Sequence, residues 1–312
     1  MHTGQVVIDE NTLTEVLRSL SERLRAVYIF PDLAEGICRQ LQNQLDSGAY
    51  ASFQEGELLA LALTMDLQEI AHDEHLWLRW HAERLPDEAD ELRFNQAWQD
   101  AQRLKARQDN YGFHKVVWLP GEIGYLDIHY FHRAEWGTET LTAAMRFLAN
   151  AQALVIDLRQ CQGGYPDMVA LVSSYLFGSE PVHLGSIYWR DEERTQEYWT
   201  TPEAIEVHFV DQPVYVLISK TTFSGGEAFA YNLQARQRVT LIGEATGGGA
   251  HPGASYRIHP HLEAFIPIGR SINPLTGTDW EGKGVTPDID TPTEQALALA
   301  CKLAREAGGG EE

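Results

Sequence analysis

Short apolar stretches alternate with longer helical ones from about Lys115 to the end of the chain, and this alternation constrains the fold most strongly. Strands are predicted at 123–128, 153–158, 183–189, 214–219 and 239–243, with later ones near 255–258 and 264–268. Helices are predicted at 138–150, 166–177, 225–237 and 293–305. The pattern is typical of the α/β (α+β) class, with a core expected to span residues 111–312.

The first 110 residues follow a different pattern and are predicted to form a small helical N-terminal domain. Residues 12–15 match a capping box, and leucines follow at helical spacing. Pro31 opens a second predicted helix, which Gly48 ends. A third helix is predicted to run to about Ala71, and residues 75–81 alternate like a strand.

The composition excludes several classes of function. The formal net charge of -21 argues against binding to nucleic acid or anionic lipid, which both need a basic surface. Three scattered cysteines do not suggest a disulfide framework. The pairs His72/His75 and His259/His261 lack partners at zinc-site spacing, so neither a metal nor an organic cofactor is expected. We find no signal peptide and no apolar run long enough to cross a membrane, so a cytoplasmic protein is expected, its oligomeric state left open.

The strongest candidate site follows the predicted strand at 214–219, where the chain continues Lys-Thr-Thr-Phe-Ser-Gly-Gly-Glu. A serine at the start of a helix, here Ser224, lies beside unpaired N–H groups and the positive end of the helix dipole. Those features hold the oxyanion of an acyl-transfer reaction, and Gly225 lets the backbone approach a substrate closely. Ser224 and Glu227 also match a capping box, so this segment alone leaves a purely structural interpretation open.

A second segment, 153–166, predicts a buried strand, the glycine pair Gly163/Gly164 and a helix. Alone it is typical of a plain strand-to-helix turn, although the glycines offer a backbone N–H to an oxyanion. Together the two segments resemble the signature blocks of the S41 family, which includes the tail-specific proteases. In that family a strand with Asp-Leu-Arg and a glycine pair precedes the block with the nucleophilic serine and a glutamate three residues later.

Three further segments, 168–177, 243–252 and 272–288, resemble the S41 branch related to the repeats of interphotoreceptor retinoid-binding protein. The resemblance covers about residues 66–290. It implies a crotonase-like ββα core preceded by a small helical domain, without room for the PDZ insert of bacterial tail-specific enzymes.

The chain departs from the serine–lysine members of the family, because residues 243–251 contain no lysine. Branches similar to the tricorn core take a histidine from the N-terminal part of the chain instead, and His75 matches that position. The resemblance also implies that Glu281 supports the histidine side, whereas Glu227 caps the helix or fixes the turn.

Other residues compete with His75 for the role of base. His72 and His251 have the same chemistry, and a neutral imidazole is the natural base for a serine hydroxyl. Lys220 and Lys283 are weaker substitutes for the missing lysine, since Lys220 ends a strand and is expected to be solvated. Without the resemblance, a histidine beside Asp73 is more often a surface or cap residue.

The resemblance implies a serine peptidase acting on a peptide or protein substrate. Ser224 would attack the carbonyl, His75 would transfer the proton, and the N–H groups of Gly225 and the Gly163/Gly164 pair would hold the oxyanion. Two alternatives stay open: a non-catalytic carrier of retinoid or fatty-acid-type apolar ligands on a protease fold, and an esterase with the same serine. The absent lysine favours the carrier, whereas the retained serine, glutamate and glycine pair favour the enzyme.

Overall fold

A computed structural model describes residues 8–86 and 96–308. Its α-helices are α1 (Glu10–Val27), α2 (Pro31–Asp46), α3 (Gly56–Ala71), α4 (Gln96–Gln108), α5 (Ala134–Phe147), α6 (Pro166–Ser174), α7 (Gly225–Ala235) and α8 (Ala296–Ala307). Its strands are β1 (Trp77–Trp80), β2 (Phe113–Leu119), β3 (Ile123–Ile128), β4 (Ala153–Asp157), β5 (His183–Trp189), β6 (Arg194–Trp199), β7 (Val214–Ile218), β8 (Thr240–Gly243), β9 (Gly253–His259), β10 (Leu262–Pro267), β11 (Gly269–Ile272) and β12 (Ile289–Asp290).

The chain divides into two compact units. Unit 1 comprises Met1–Gln102, Tyr188–Thr195 and His251–Arg270, and unit 2 comprises Arg103–Ile187, Gln196–Ala250 and Ser271–Glu312. The sequence predicted two contiguous domains that meet near residue 110. In the structure, unit 1 also includes two short segments from later in the chain. A separate three-stranded sheet has the order β11-β5-β6.

Unit 1 combines the N-terminal helices with a small antiparallel sheet of order β1-β10-β9, in which Trp77 pairs with Phe265. Its core joins apolar side chains of the helices and the sheet, among them Leu20, Leu63 and Tyr256, all fully buried. The helical N-terminal region predicted from sequence is therefore present, and its sheet is completed by strands from residues 253–267.

The first helix begins earlier than expected. The predicted capping box at Thr12 is wrong, because the Thr12 N–H donates to Asp9 Oδ1 at 2.8 Å and Asp9 is the N-cap. A carboxylate there accepts from an otherwise unpaired amide and faces the positive end of the helix dipole. Helix α2 begins at Pro31, as predicted.

Unit 2 is built on a six-stranded sheet of order β12-β8-β7-β4-β3-β2. Its strands pair in parallel except β2, which is antiparallel to β3 at one edge. One face packs on α5, α6 and α7, and the other packs on α8. This mixed sheet confirms the α/β class. Within the described part of the chain, no helix combines the length and apolar character needed to cross a bilayer.

The order of the strands brings two turns side by side. Strands β4 and β7 are parallel neighbours, with Leu154 paired to Val214. The turn that follows β4 contains the glycine pair, and the turn that follows β7 contains Ser224. Ligands of open parallel sheets bind beyond the carboxyl ends of the strands, which is where both turns lie.

Candidate active site

Ser224 occupies a strained position immediately before α7. Its backbone has φ 51° and ψ -115°, which a non-glycine residue rarely adopts. The side chain is partly buried, and its own N–H donates to Glu227 Oε2 at 2.8 Å. The hydroxyl therefore lies at the N-terminus of a helix, where amides lack intrahelical partners and the dipole favours negative charge.

The glycine turn after β4 touches this serine directly. Gly163 and Gly164 have φ values of 107° and 129°, in the region that favours glycine. A Cβ on Gly163 would lie 2.7 Å from the Cβ of Ser224, and one on Gly225 would lie 2.9 Å from the nitrogen of Gly164. On Gly164 it would lie 2.2 Å from the carbonyl oxygen of Phe131. Only glycine permits this approach of the two backbones, so the structure brings together the three glycines predicted to bind an oxyanion.

Glu227 is fully buried and organises the surroundings of the serine. Oε1 accepts from the Thr246 hydroxyl and, at 2.7 Å, from the N–H of Gly248. Oε2 accepts from the N–H of Ser224 and, at 2.9 Å, from that of Gly249. Burial raises the pKa of the Glu227 carboxyl, and these four hydrogen bonds oppose the shift. Sequence reasoning gave Glu227 a cap or turn role but missed its partners in the 246–249 loop.

Glu281 binds the main chain at Ala250, the residue that follows this loop. Its Oε2 accepts the N–H of Ala250, and the neighbouring Trp280 donates its indole N–H to the carbonyl of Gly249 at 2.8 Å. Trp280 is buried, and its ring lies 5.4 Å from that of Tyr231. Within unit 2, Glu281 therefore holds main chain in place.

The two lysines proposed as substitutes lie in solvent. The Lys220 side chain is 81% exposed and forms an ion pair of 3.7 Å with Glu244, and Lys283 is also exposed. A lysine serves as a base only where burial or nearby cations favour its neutral form. Neither residue has such surroundings.

His75 lies in unit 1, buried just before β1. Its backbone N–H donates to Asp73 Oδ1 at 3.0 Å, and its ring lies 6.0 Å from that of Phe265. Burial lowers the pKa of His75 to about 4, with a smaller contribution from His251 in the same direction and an opposing one from Asp73. The imidazole is therefore neutral at neutral pH.

The competing histidines differ in their surroundings. Nδ1 of His251, also in unit 1, lies 2.9 Å from Asp73 Oδ2, and its ring packs edge-on against Phe30 at 5.2 Å. Asp73 accepts a third bond, of 3.2 Å, from the hydroxyl of Tyr28. His72 is exposed and is the left-handed C-cap of α3, which fits a structural role. Sequence reasoning missed the Asp73–His251 pair, which joins residues 178 positions apart.

Two family models match consecutive parts of the sequence. The model of Peptidase family S41 matches residues 122–291, and that of the N-terminal domain of Peptidase_S41 in eukaryotic IRBP matches residues 5–110. The chloroplastic carboxyl-terminal-processing peptidase 2 of Arabidopsis thaliana is 25% identical over 183 residues, which are 56% of this chain and 34% of that protein. The chain thus spans about a third of that relative's length.

Solved structures share the fold over most of the chain. A protein from Parabacteroides merdae ATCC 43184 has a TM-score of 0.64 at 17% identity, covering 96% of this chain and 99% of that one. A lipoprotein from Streptococcus agalactiae has a TM-score of 0.59 at 11% identity, covering 94% and 96%. For the tricorn protease the TM-score is 0.54 at 13% identity, covering 95% of this chain and 37% of that one. At such identities the likeness concerns the fold.

Proposed function

Because the chain belongs to peptidase family S41, we propose that it is a serine peptidase that cleaves peptides or proteins with Ser224 as its nucleophile. The match to a carboxyl-terminal-processing peptidase supports the same class of reaction. In this proposal, neither a metal nor an organic cofactor takes part in the hydrolysis.

The observation that carries the proposal is the strained backbone of Ser224 beside the Gly163/Gly164 turn. An N-cap residue normally has extended dihedral angles, whereas Ser224 has φ 51°. Strain of this kind costs about 1–3 kcal/mol and persists where surrounding structure enforces it, often at functional sites. A helix cap alone does not account for the conformation, so the catalytic interpretation is favoured over the purely structural one.

The proposed chemistry proceeds through an acyl-enzyme. Ser224 Oγ attacks the substrate carbonyl, whose oxygen becomes an oxyanion held by the N–H of Gly225 and one N–H of the Gly163/Gly164 pair. Collapse of the tetrahedral intermediate breaks the C–N bond and leaves an ester on Ser224. Water then hydrolyses the ester and restores the serine.

We assign the proton transfers to His75, on the strength of the family resemblance. It accepts the Ser224 hydroxyl proton and delivers it to the leaving amine. Its burial favours the neutral imidazole that a base requires. His251 is the second candidate, because Asp73 holds its Nδ1 and fixes the orientation of the ring. We propose that Glu281 supports this chemistry by fixing Ala250.

Labelling with a fluorophosphonate probe, followed by mass spectrometry of the adduct, tests the nucleophile. We expect the adduct on Ser224, and we expect Ser224→Ala to lose both labelling and peptide hydrolysis. Thr221→Ala is the matched control, since Thr221 is an exposed hydroxyl residue on the same turn. Labelled protein that cleaves small esters but no peptide would indicate an esterase. Folded protein that resists the probe and binds a fluorescent fatty acid would indicate a carrier.

A further inference from the structure

Two histidines and an aspartate form a cluster on unit 2, outside the residues proposed for hydrolysis. His114, Asp127 and His129 each offer one donor atom, and the three atoms lie within 4.8 Å of one another. His129 Nε2 and Asp127 Oδ1 are 3.2 Å apart. Two donors of a tetrahedral zinc ion lie about 3.4 Å apart, because each is about 2.1 Å from the metal. The spacing of this pair already suits a shared ion.

Strand pairing explains why these residues meet. Asp127 lies in β3 and His129 follows the last residue of that strand, and their side chains meet at 3.2 Å. Phe113 pairs with Ile128 and Lys115 pairs with Asp127, so His114 is the extra residue of a β-bulge. A bulge re-aims a side chain relative to a regular ladder, and here it accompanies the approach of His114 to the other two. Spacing along the sequence cannot reveal such a cluster.

The charges around Asp127 favour a cation. Its side chain is only 10% exposed, and its partner in β4 is another carboxylate, Asp157. Asp157 accepts from the Arg159 guanidinium at 2.6 Å and from the Tyr125 hydroxyl at 2.8 Å. Arg159 compensates the charge of Asp157, so a bound divalent ion would compensate the charge of Asp127.

We propose that His114, Asp127 and His129 bind one divalent transition-metal ion, with zinc as the best match and water as the fourth ligand. Two imidazoles and a carboxylate, with one open position, form a typical three-residue zinc ligand set. Magnesium and calcium prefer oxygen ligands and suit this set poorly.

Binding requires one side chain to move. The rings of His114 and His129 are stacked, with centroids 4.3 Å apart and planes at 11°, whereas a metal lies in the plane of each imidazole that binds it. His114 is exposed, so rotation about its side-chain bonds brings a nitrogen toward the ion at small cost.

The site adjoins the glycine turn of the proposed oxyanion hole. The carbonyl oxygen of His129 accepts the N–H of Gln162, the residue before Gly163, at 2.9 Å. An ion that fixes His129 therefore also restrains Gln162 and the chain that leads into the turn. Because ligand binding to the folded state stabilises it, zinc at about 100 times its Kd is expected to raise the melting temperature by on the order of 5 °C.

Equilibrium dialysis of the untagged full chain against Zn²⁺ tests the proposal. We expect one equivalent, retained in excess Mg²⁺, and an affinity at least about tenfold lower in His114→Ala and Asp127→Asn. Co²⁺ should show the visible absorption of a four-coordinate ion in the wild type but not in His114→Ala. His132→Ala is the control, since His132 Nε2 lies 3.3 Å from the carboxylate of Asp109 and the pair belongs to no three-residue ligand cluster within residues 8–86 and 96–308.

Binding by His114→Ala that equals the wild type would overturn the proposal. So would several weak equivalents that no variant changes, because a chain of net charge -21 attracts cations without a site. His114 is exposed, so its replacement leaves the fold intact, and circular dichroism checks this. Ser224→Ala should bind zinc normally, which separates the outcome from that of the peptidase proposal.

Discussion

Replacing Glu227 with glutamine tests whether an ionised carboxylate organises the serine turn. Each carboxylate oxygen accepts two hydrogen bonds, so an amide NH₂ at either position faces two donors. Hydrogen bonds to a charged group contribute about 1.5–3 kcal/mol each, and the loss of two predicts a destabilisation of about 3–6 kcal/mol. Peptide hydrolysis should fall as well, because either placement removes hydrogen bonds that hold the serine turn or the 246–249 loop beside it.

Urea unfolding measures the change in the free energy of unfolding. Glu206→Gln makes the same chemical change at a surface ion pair with Arg146, where the loss should stay below about 1 kcal/mol. If the free energy of unfolding of Glu227→Gln also lies within about 1 kcal/mol of the wild-type value, the reasoning fails. Glu227 would then be protonated in the native protein and would bind the loop as a neutral acid.

Three further predictions concern the base and the glycine turn. His75→Ala should abolish peptide hydrolysis at unchanged circular dichroism, and loss of hydrolysis in His251→Ala alone would transfer the role of base to His251. The pKa of His75 is about 4 in the folded chain and 6.5 when unperturbed, so the unfolded chain binds more protons between these values. Stability should therefore fall as the pH drops through this window, by about 2 kcal/mol near pH 5, and urea titrations should show the loss of this dependence in His75→Ala. Gly163→Ala should lower the rate of hydrolysis and destabilise the fold more than Gly277→Ala does. Gly277 is the control because it also has a positive φ but has open space around it. Equal effects of the two substitutions in urea unfolding and kinetic assays would argue against a close approach of Gly163 to Ser224.

The buried parallel strands were predictable because each is short and mostly apolar. The expected strands at 123–128, 153–158 and 214–219 correspond to β3, β4 and β7 within one residue. Strand β2 was missed although residues 116–119 are apolar, because it is an edge strand whose side chains are mostly exposed and whose sequence neither alternates nor stays apolar throughout. β6 was missed for a similar reason, since its exposed and partly buried positions are mainly polar.

The candidate site was predictable where side chains and glycines carry the signal. Two glycine-rich turns after apolar strands predicted that Ser224 and Gly163 would lie close together, and strand order makes them neighbours. Three of the four donors that hold Glu227 are backbone amides, two of them in the 246–249 loop, and every residue except proline carries such an amide, so the sequence does not indicate which ones will be used. Likewise, nothing near residue 73 indicates that its carboxylate will meet His251.

The pairing of β1 with β10 has a consequence for the order of events during synthesis. Trp77 cannot pair with Phe265 until the ribosome has synthesised the 187 residues between them. The nascent chain therefore carries its first three helices long before the strands that complete their core exist. Until then, apolar side chains such as Leu78 lack their final neighbours and are exposed to aggregation. Each doubling of the intervening loop adds only about 0.6 kcal/mol to closure, so the long separation affects stability little. The separation instead delays folding, because the N-terminal helices stay incompletely packed until residue 265 has been synthesised.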